Sequence, residues 1–416
     1  MSTEPPPTTS RLPLVVYILA IGTFLMGTTE FMMAGLLPEI AENLGVSVSH
    51  AGLLITIFAV GMIVGAPTMV ILTRRLPRRL TLALALAVFA ALHLVVALGS
   101  GFGLLLGARF LIAWATGAFW SVAAVVAACA AGPAASARAI GVVIGGGMLA
   151  TVVGVPLGAF AGQLLGWRGP FWALAVLAAI AAAVILRFVP HDNPDRRVPS
   201  ITSELSGLRS RQLWLVLVSS TFILGGVMAT YSYIAPLLTV RAGLPSNLVP
   251  LALVGFGAGA LLGTVLGGRA GDTRPYLAAL TAVATTVTIL VGLCFLSQQA
   301  LATVVLVILL GLAGMAANPV LMSLAVRFAG GAPTLASALS ASAFNIGIAG
   351  GSWIAGLVLE SSLNELGPPV VGVAIATLTL IPLAALAIGQ RTKPAGTEPH
   401  FTDPAGEDLR PRVAAR

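Results

Sequence analysis

Charge is what this sequence has least of. Only 9% of its 416 residues are Asp, Glu, Lys or Arg, 58% are hydrophobic, and the mean hydropathy is +1.01. Soluble domains carry about 25% charge, so the composition excludes an ordinary water-soluble fold and indicates a polytopic membrane protein. Cysteine is nearly absent. Cys129 and Cys294 lie in apolar runs far apart in the chain, which leaves no disulfide framework and no cysteine metal site. The four histidines, His50, His93, His191 and His400, are scattered, and no acid pair lies within the apolar runs. The clustered groups of a membrane-embedded enzyme are therefore missing. No nucleotide-binding loop is present, so energy must come from a gradient, and no cofactor is implied. The polar stretches are too short for the folded cytoplasmic domain of a sensor. Strand-like alternation is also missing, which excludes a barrel.

What is there is apolar length. Twelve runs can cross a bilayer as helices: 12–37, 51–73, 80–99, 102–131, 139–166, 170–189, 213–240, 248–270, 277–297, 300–326, 333–359 and 368–389. Their Gly and Ala content suits helices packed through small residues. The formal charge of +8 follows position. With both termini inside, cytoplasmic segments hold 19 of the 22 basic residues, outer loops hold Arg168 and Arg241, and Arg109 falls in an apolar run. That asymmetry orients a membrane protein and is no nucleic-acid footprint. It predicts a multi-pass protein of the bacterial plasma membrane with cytoplasmic termini, with the lipid bilayer as a partner. Residues 1–11 read as a short cytoplasmic tail without a cleavable signal, and 391–416 as a disordered one.

The longest polar interior stretch, residues 191–212, is expected to be a cytoplasmic linker between six-helix bundles at 12–190 and 213–390. The two halves align at an ungapped offset of 198: Pro38 with Pro236, Gly45 with Gly243, Leu53 with Leu251, Phe58 with Phe256, Gly61 with Gly259, Gly65 with Gly263 and Pro77 with Pro275. Six of these seven identities are Gly, Pro or Phe, the residues that helix packing and turns demand. An internal duplication of this kind is a transporter architecture, with substrate bound near the midplane between the halves.

One carboxylate interrupts the first apolar run. In "GTTEFMMAGLL", residues 27–37, Glu30 lies only about 8 Å past the midpoint of a helix roughly 39 Å long. An ionisable group at such a depth costs a few kcal/mol. The charged form is disfavoured in a dry cavity and tolerated beside water or a cation, so Glu30 suits proton or substrate coupling. The competing reading is a structural, hydrogen-bonded acid. Arg109, the only embedded base, lies ~10 Å outward of its own run's midpoint, at a depth similar to Glu30. It is read either as the partner of Glu30 in coupling or as a static bridge. His93 reads as an isolated, packed, neutral histidine.

These motifs make a family legible. "MGTTEFMMAGLLPEIAENLGVS" and "AGLLITIFAVGMIVGAP" resemble the twelve-helix drug:proton antiporter branch of the major facilitator superfamily, and the resemblance covers nearly all of residues 12–390. "GARFLIAWATGAF" resembles the branch's helix 4 motif, with Arg109 as its arginine. "GVPLGAFAGQLLGWRGPFW" resembles the helix 5 antiporter motif, with Gly154, Pro156, Gly158 and Gly162, although Val155 separates the usual Gly-Pro. The loop "RRLPRR" departs further, with Arg74 at the family's acidic position, whereas "GRAGDTRP" in the second half keeps Asp272 beside Arg269. The chloramphenicol-resistance exporters share this Pro-Arg-Arg variant and the "GAPT" that begins helix 11.

The resemblance implies an all-α membrane fold of two pseudo-symmetric six-helix bundles. It further implies a secondary transporter, acting as a monomer, that exports small amphiphilic drugs in exchange for protons by alternating access. A sugar or metabolite exporter is the competing reading, and polar anchors for such cargo are sparse. By resemblance the cavity helices 1, 4, 7 and 10 offer Phe31, Met32, Met33, Trp114, Phe119, Trp120, Tyr231, Tyr233, Asn318 and Met322, with Asn345 from helix 11. A single embedded acid favours a neutral or weakly charged cargo over a dication. Asp272 and Arg269 are expected at a gate, and the helix 5 motif at a seal between halves, with packing as the simpler cause of its glycines.

Overall fold

The structure, a computed structural model, describes residues 12–72, 76–132, 135–190, 210–329 and 333–391. The expected tails, nearly all of the 191–212 linker, and Arg74 lie outside these residues. Twelve helices are long and apolar enough to cross a membrane, and the described residues contain no strand. They are α1 (Leu14–Phe31, continued as Met33–Leu44), α2 (Val48–Leu72), α3 (Arg78–Leu98), α4 (Phe102–Ala131), α5 (Ser136–Leu149 and Val155–Leu165) and α6 (Gly169–Phe188). The second set is α7 (Arg211–Tyr231), α8 (Val249–Thr273), α9 (Pro275–Leu296), α10 (Ala300–Phe328), α11 (Pro333–Leu359) and α12 (Gly367–Leu378 and Leu380–Arg391). An even number of crossings puts both ends of the described chain at one end of the bundle, called proximal below. The other end is distal.

The two sets pack alike. α2 lies on α4 as α8 lies on α10, α1 on α5 as α7 on α11, and α3 on α6 as α9 on α12. The sequence offset reappears in the contacts. A β-carbon at Gly61 would lie 2.6 Å from the Phe110 carbonyl oxygen, and one at Gly259 would meet the carbonyl of Ile308, the residue 198 positions further on. Gly65 against Trp114 and Gly263 against Leu312 repeat the same offset. Small residues bring these backbones together because, in lipid, helix association rests on close packing rather than on expulsion of water. The outer surface is apolar: Leu165, Phe295, Leu301 and Ile381 are all exposed.

The halves meet along α2 with α11 and α5 with α8. Four hydrogen bonds join them across the middle and the distal end. Tyr231 donates to the Phe31 carbonyl, Thr56 pairs with Ser352, Gln163 donates to the Ser246 carbonyl, and Ser47 donates to Glu360 at 2.7 Å. Tyr233 is a buried peg at this seam. Its hydroxyl donates to the Ser352 carbonyl at 3.1 Å, and β-carbons at Gly52 of α2 or Gly356 of α11 would run into it.

Prolines set the breaks. Pro236 has no N–H for the carbonyl four residues back, and α7 breaks there, at Ser232–Tyr233, before a wide turn over Leu237–Arg241. Pro156 likewise follows a π turn at Ala150–Gly154 that relieves its clash with the preceding turn of α5. The first apolar run is one helix longer than its hydropathy indicates: it bends at Met32 and ends at Leu44, with Gly45 at φ 63° as its left-handed cap.

Candidate functional site

The bend in α1 exposes backbone at the middle of the molecule. The Gly35 N–H bonds to the Met32 carbonyl at 3.1 Å instead of reaching Phe31. The Phe31 carbonyl is thereby left for the Tyr231 hydroxyl, 3.4 Å away across the seam. The Tyr231 ring stacks on Phe256 with centroids 4.3 Å apart and meets Phe31 edge-on at 6.3 Å. Beside this pair is a cavity of about 10 Å³, the room of about one water.

Glu30 lines that cavity with Phe31, Ile55 and Phe58 of the first half and Tyr231, Ser232, Asn345 and Ile348 of the second. It is half-buried and makes no hydrogen bond or ion pair among the described residues. Ser232 Oγ and Asn345 Oδ1 are buried without partners. The cavity is thus lined by a carboxyl residue, two polar residues whose oxygens are without partners, and aromatic walls. A ligand that donates hydrogen bonds at one end and is apolar elsewhere complements such a surface.

Arg109 comes to this region from α4, and only 1% of it is exposed. Its Nε donates to the Leu54 carbonyl at 3.3 Å, and Nη1 donates to the Thr29 carbonyl at 3.1 Å and to Thr29 Oγ1 at 3.2 Å. The guanidinium lies over the Phe58 ring, 4.3 Å from its centroid, and Nη2 is buried without a partner. The guanidinium is thus held largely through the residue next to Glu30, with Nη2 left over and no ion pair to the Glu30 carboxyl among the described residues. His93 is not isolated. Its Nε2 is 2.8 Å from Thr29 Oγ1 and its Nδ1 is 2.8 Å from the Phe89 carbonyl, with the ring packed on Phe89 and near Phe171.

Several residues expected at the cavity lie elsewhere. Phe119 is fully buried inside the first half, where it fills the space that a β-carbon at Gly22 would need. Trp120 packs on Gly147 of α5, and Trp114 donates from Nε1 to Thr68 Oγ1 at 2.7 Å, between α4 and α2. Met33 is buried away from the cavity, and Met32 packs on Gly158. Tyr233 is the distal peg. Asn318 turns its amide to Met315 Sδ at 3.6 Å, and Met322 is 38% exposed on α10. Helix membership alone gave these positions; the side-chain direction, which repeats every 3.6 residues, placed most of them within their own half. Ser232 and Thr29 were missed. Pro236, four residues after Ser232, was the available signal for the first, and nothing in the sequence distinguished Thr29 from Thr28.

Asp272 and Arg269 are exposed in the last turns of α8 and make no hydrogen bond or ion pair among the described residues. The glycines of the helix 5 motif form a ladder: Gly154, Gly158 and Gly162 sit against Thr28, Met32 and Leu36, each four residues apart. They dock α5 on α1 within one half. α5 meets α8 through its π turn, where Thr151 and Val152 oppose Gly257, and also through Val155–Leu165, the segment that carries the motif.

Two like-packed sets of six membrane-length helices, closed on a central cavity lined by an acid, define a membrane transporter. The chain belongs to the Major Facilitator Superfamily, whose family model matches residues 19–352. It is 38% identical to a chloramphenicol resistance protein of Streptomyces lividans over 86% of this chain and 92% of that one. It is 32% identical to the inner membrane transport protein YdhP of Escherichia coli (strain K12), over 87% of this chain and 93% of that one. A crystal structure of a bacterial homologue of the human lysosomal transporter Spinster, inward-facing and occupied, superimposes with a TM-score of 0.73 at 17% identity. It covers 91% of this chain and 96% of that one, which supports the fold.

Proposed function

We propose that the protein exports small amphiphilic compounds, phenicol-like antibiotics among them, from a bacterial cell in exchange for protons. The observation that carries this reading is Glu30, a carboxyl group with no hydrogen bond or ion pair among the described residues, in the cavity between the halves and one residue from the group that holds Arg109. Protonated, Glu30 suits a dry cavity; ionised, it needs water, a cationic partner or a donor ligand. Alternating access supplies these environments in turn, so the carboxyl exchanges a proton for substrate without burying a lone charge. With both termini cytoplasmic, the joined distal ends make this the state closed to the outside. The aromatic walls, the unspent oxygens of Ser232 and Asn345, and the relative named for chloramphenicol resistance support a neutral cargo with donor groups. Asp272, exposed at the proximal end of α8, acts in closing the cytoplasmic side.

The test is uptake into inside-out vesicles carrying the purified protein under an imposed pH gradient. Chloramphenicol is expected to accumulate, and a dicationic drug to accumulate less. Transport confined to polycations, or sugar transport without drug transport, would sink the cargo assignment.

A further inference from the structure

Most buried hydroxyls in these helices bond to the carbonyl four residues back, as Thr28 does to Phe24, Thr116 to Ile112, Ser220 to Val216 and Thr286 to Ala282; Thr23 and Thr230 reach a carbonyl of one other helix. Thr29 does neither. Its partners lie on two other helices, His93 Nε2 on α3 and Arg109 Nη1 on α4. The Phe89 carbonyl can only accept, so His93 carries a proton on Nδ1. A second ring proton would put two cations on one buried oxygen, so Nε2 is bare and accepts from the Thr29 hydroxyl. With its only proton committed to His93, Thr29 Oγ1 turns its lone pairs to the guanidinium.

Thr29 and Glu30 are adjacent, and they are rivals for the same cation. The guanidinium is fully enclosed, one of its nitrogens is without a partner, and it is held by two carbonyls and this one hydroxyl. The charged or titratable groups at this place are Glu30 on α1, His93 on α3, Arg109 on α4 and the Tyr231 hydroxyl on α7. Of these, Glu30 alone offers a carboxylate when it is ionised.

We infer that Thr29 is a positioning residue that holds Arg109 off Glu30, with His93 serving to aim the threonine hydroxyl. The inference rests on the coupling role proposed for Glu30. In this arrangement the carboxyl group can carry a proton while the cation beside it is held by Thr29 and the two carbonyls. Release of the guanidinium from Thr29 toward Glu30 is the step that favours the carboxylate. His93 keeps its single Nδ1 proton throughout and relays none.

The test needs no substrate. Dicyclohexylcarbodiimide reacts with protonated carboxyl groups in apolar surroundings, so labelling of Glu30 in the purified full-length protein at neutral pH, read by mass spectrometry, reports whether Arg109 is held away. Wild type is expected to label. Thr29→Val keeps the shape and removes the hydroxyl, and is expected to cut labelling several-fold, while Thr29→Ser keeps it. Adding Arg109→Met to Thr29→Val is expected to restore labelling, which no loss of packing at Thr29 predicts. If Thr29→Val fails to fold, His93→Phe, which removes the acceptor of the hydroxyl, is read in the same way. An unlabelled wild type, unchanged labelling in Thr29→Val, or a loss that Arg109→Met leaves in place would overturn the inference. Coupling is judged separately: loss of proton-driven transport in Glu30→Gln together with unchanged labelling in Thr29→Val retains the proposed function and removes Thr29 from it.

Discussion

Arg109 is held by geometry more than by charge. Its contacts use two edges of a planar fork, and its flat face covers Phe58. Arg109→Ala leaves a void beneath Phe58 and is expected to cost about 2–4 kcal/mol of stability, on the scale of other large-to-small core substitutions. Arg109→Met fills the space and is expected to recover most of that in thermal unfolding in detergent while leaving pH-driven transport abolished. Equal transport by Arg109→Met and wild type would make the arginine a packing residue. Glu30 and Arg109 stood out in the sequence because ionisable residues in apolar runs are expensive and therefore rare. Ser232 and Thr29 did not, because a hydroxyl in a helix ordinarily satisfies itself on its own backbone. Only the tertiary arrangement reveals one that does not.

Among the elements, α5 makes the sharpest energetic distinction. A β-carbon at Gly154 would collide with the Thr28 hydroxyl, which sits close to the rigid backbone of α1. A β-carbon at Gly158 would stop 3.3 Å from Met32 Cβ and Sδ, part of a side chain able to shift. Gly154→Ala is therefore expected to lower stability by about 1–3 kcal/mol, and Gly158→Ala by less than about 1 kcal/mol. Thermal unfolding of the two variants side by side checks the order, and equal effects would contradict the ladder. The twelve helices could be read from hydropathy and the duplication from Gly and Pro at one offset, because both signals are local in the chain. The bend at Met32 and the π turn before Pro156 were not resolved by hydropathy, which is blind to which carbonyl an N–H chooses.

At the scale of the whole molecule, the halves are joined at the distal end, and the proposed cycle requires that joint to open. Ser47 and Glu360 touch across the seam at 2.7 Å, so cysteines in both positions, in a background lacking Cys129 and Cys294, are expected to cross-link. The bond should block transport, and reductant should restore it; undiminished transport by the cross-linked protein would mean that the distal end need not open. Orientation is tested in whole cells: an impermeant thiol reagent is expected to label a cysteine at Glu365 and not one at Arg211, and the reverse would invert the topology. The central claim, that Glu30 carries the exchanged proton, meets its most direct test in a single measurement. Proteoliposomes in weakly buffered medium are given chloramphenicol, and the proton release evoked by substrate is followed with a pH-sensitive dye for wild type and Glu30→Gln. The account predicts release by wild type, none by Glu30→Gln, and surviving downhill exchange of the drug in that variant. Undiminished proton release by Glu30→Gln would contradict it.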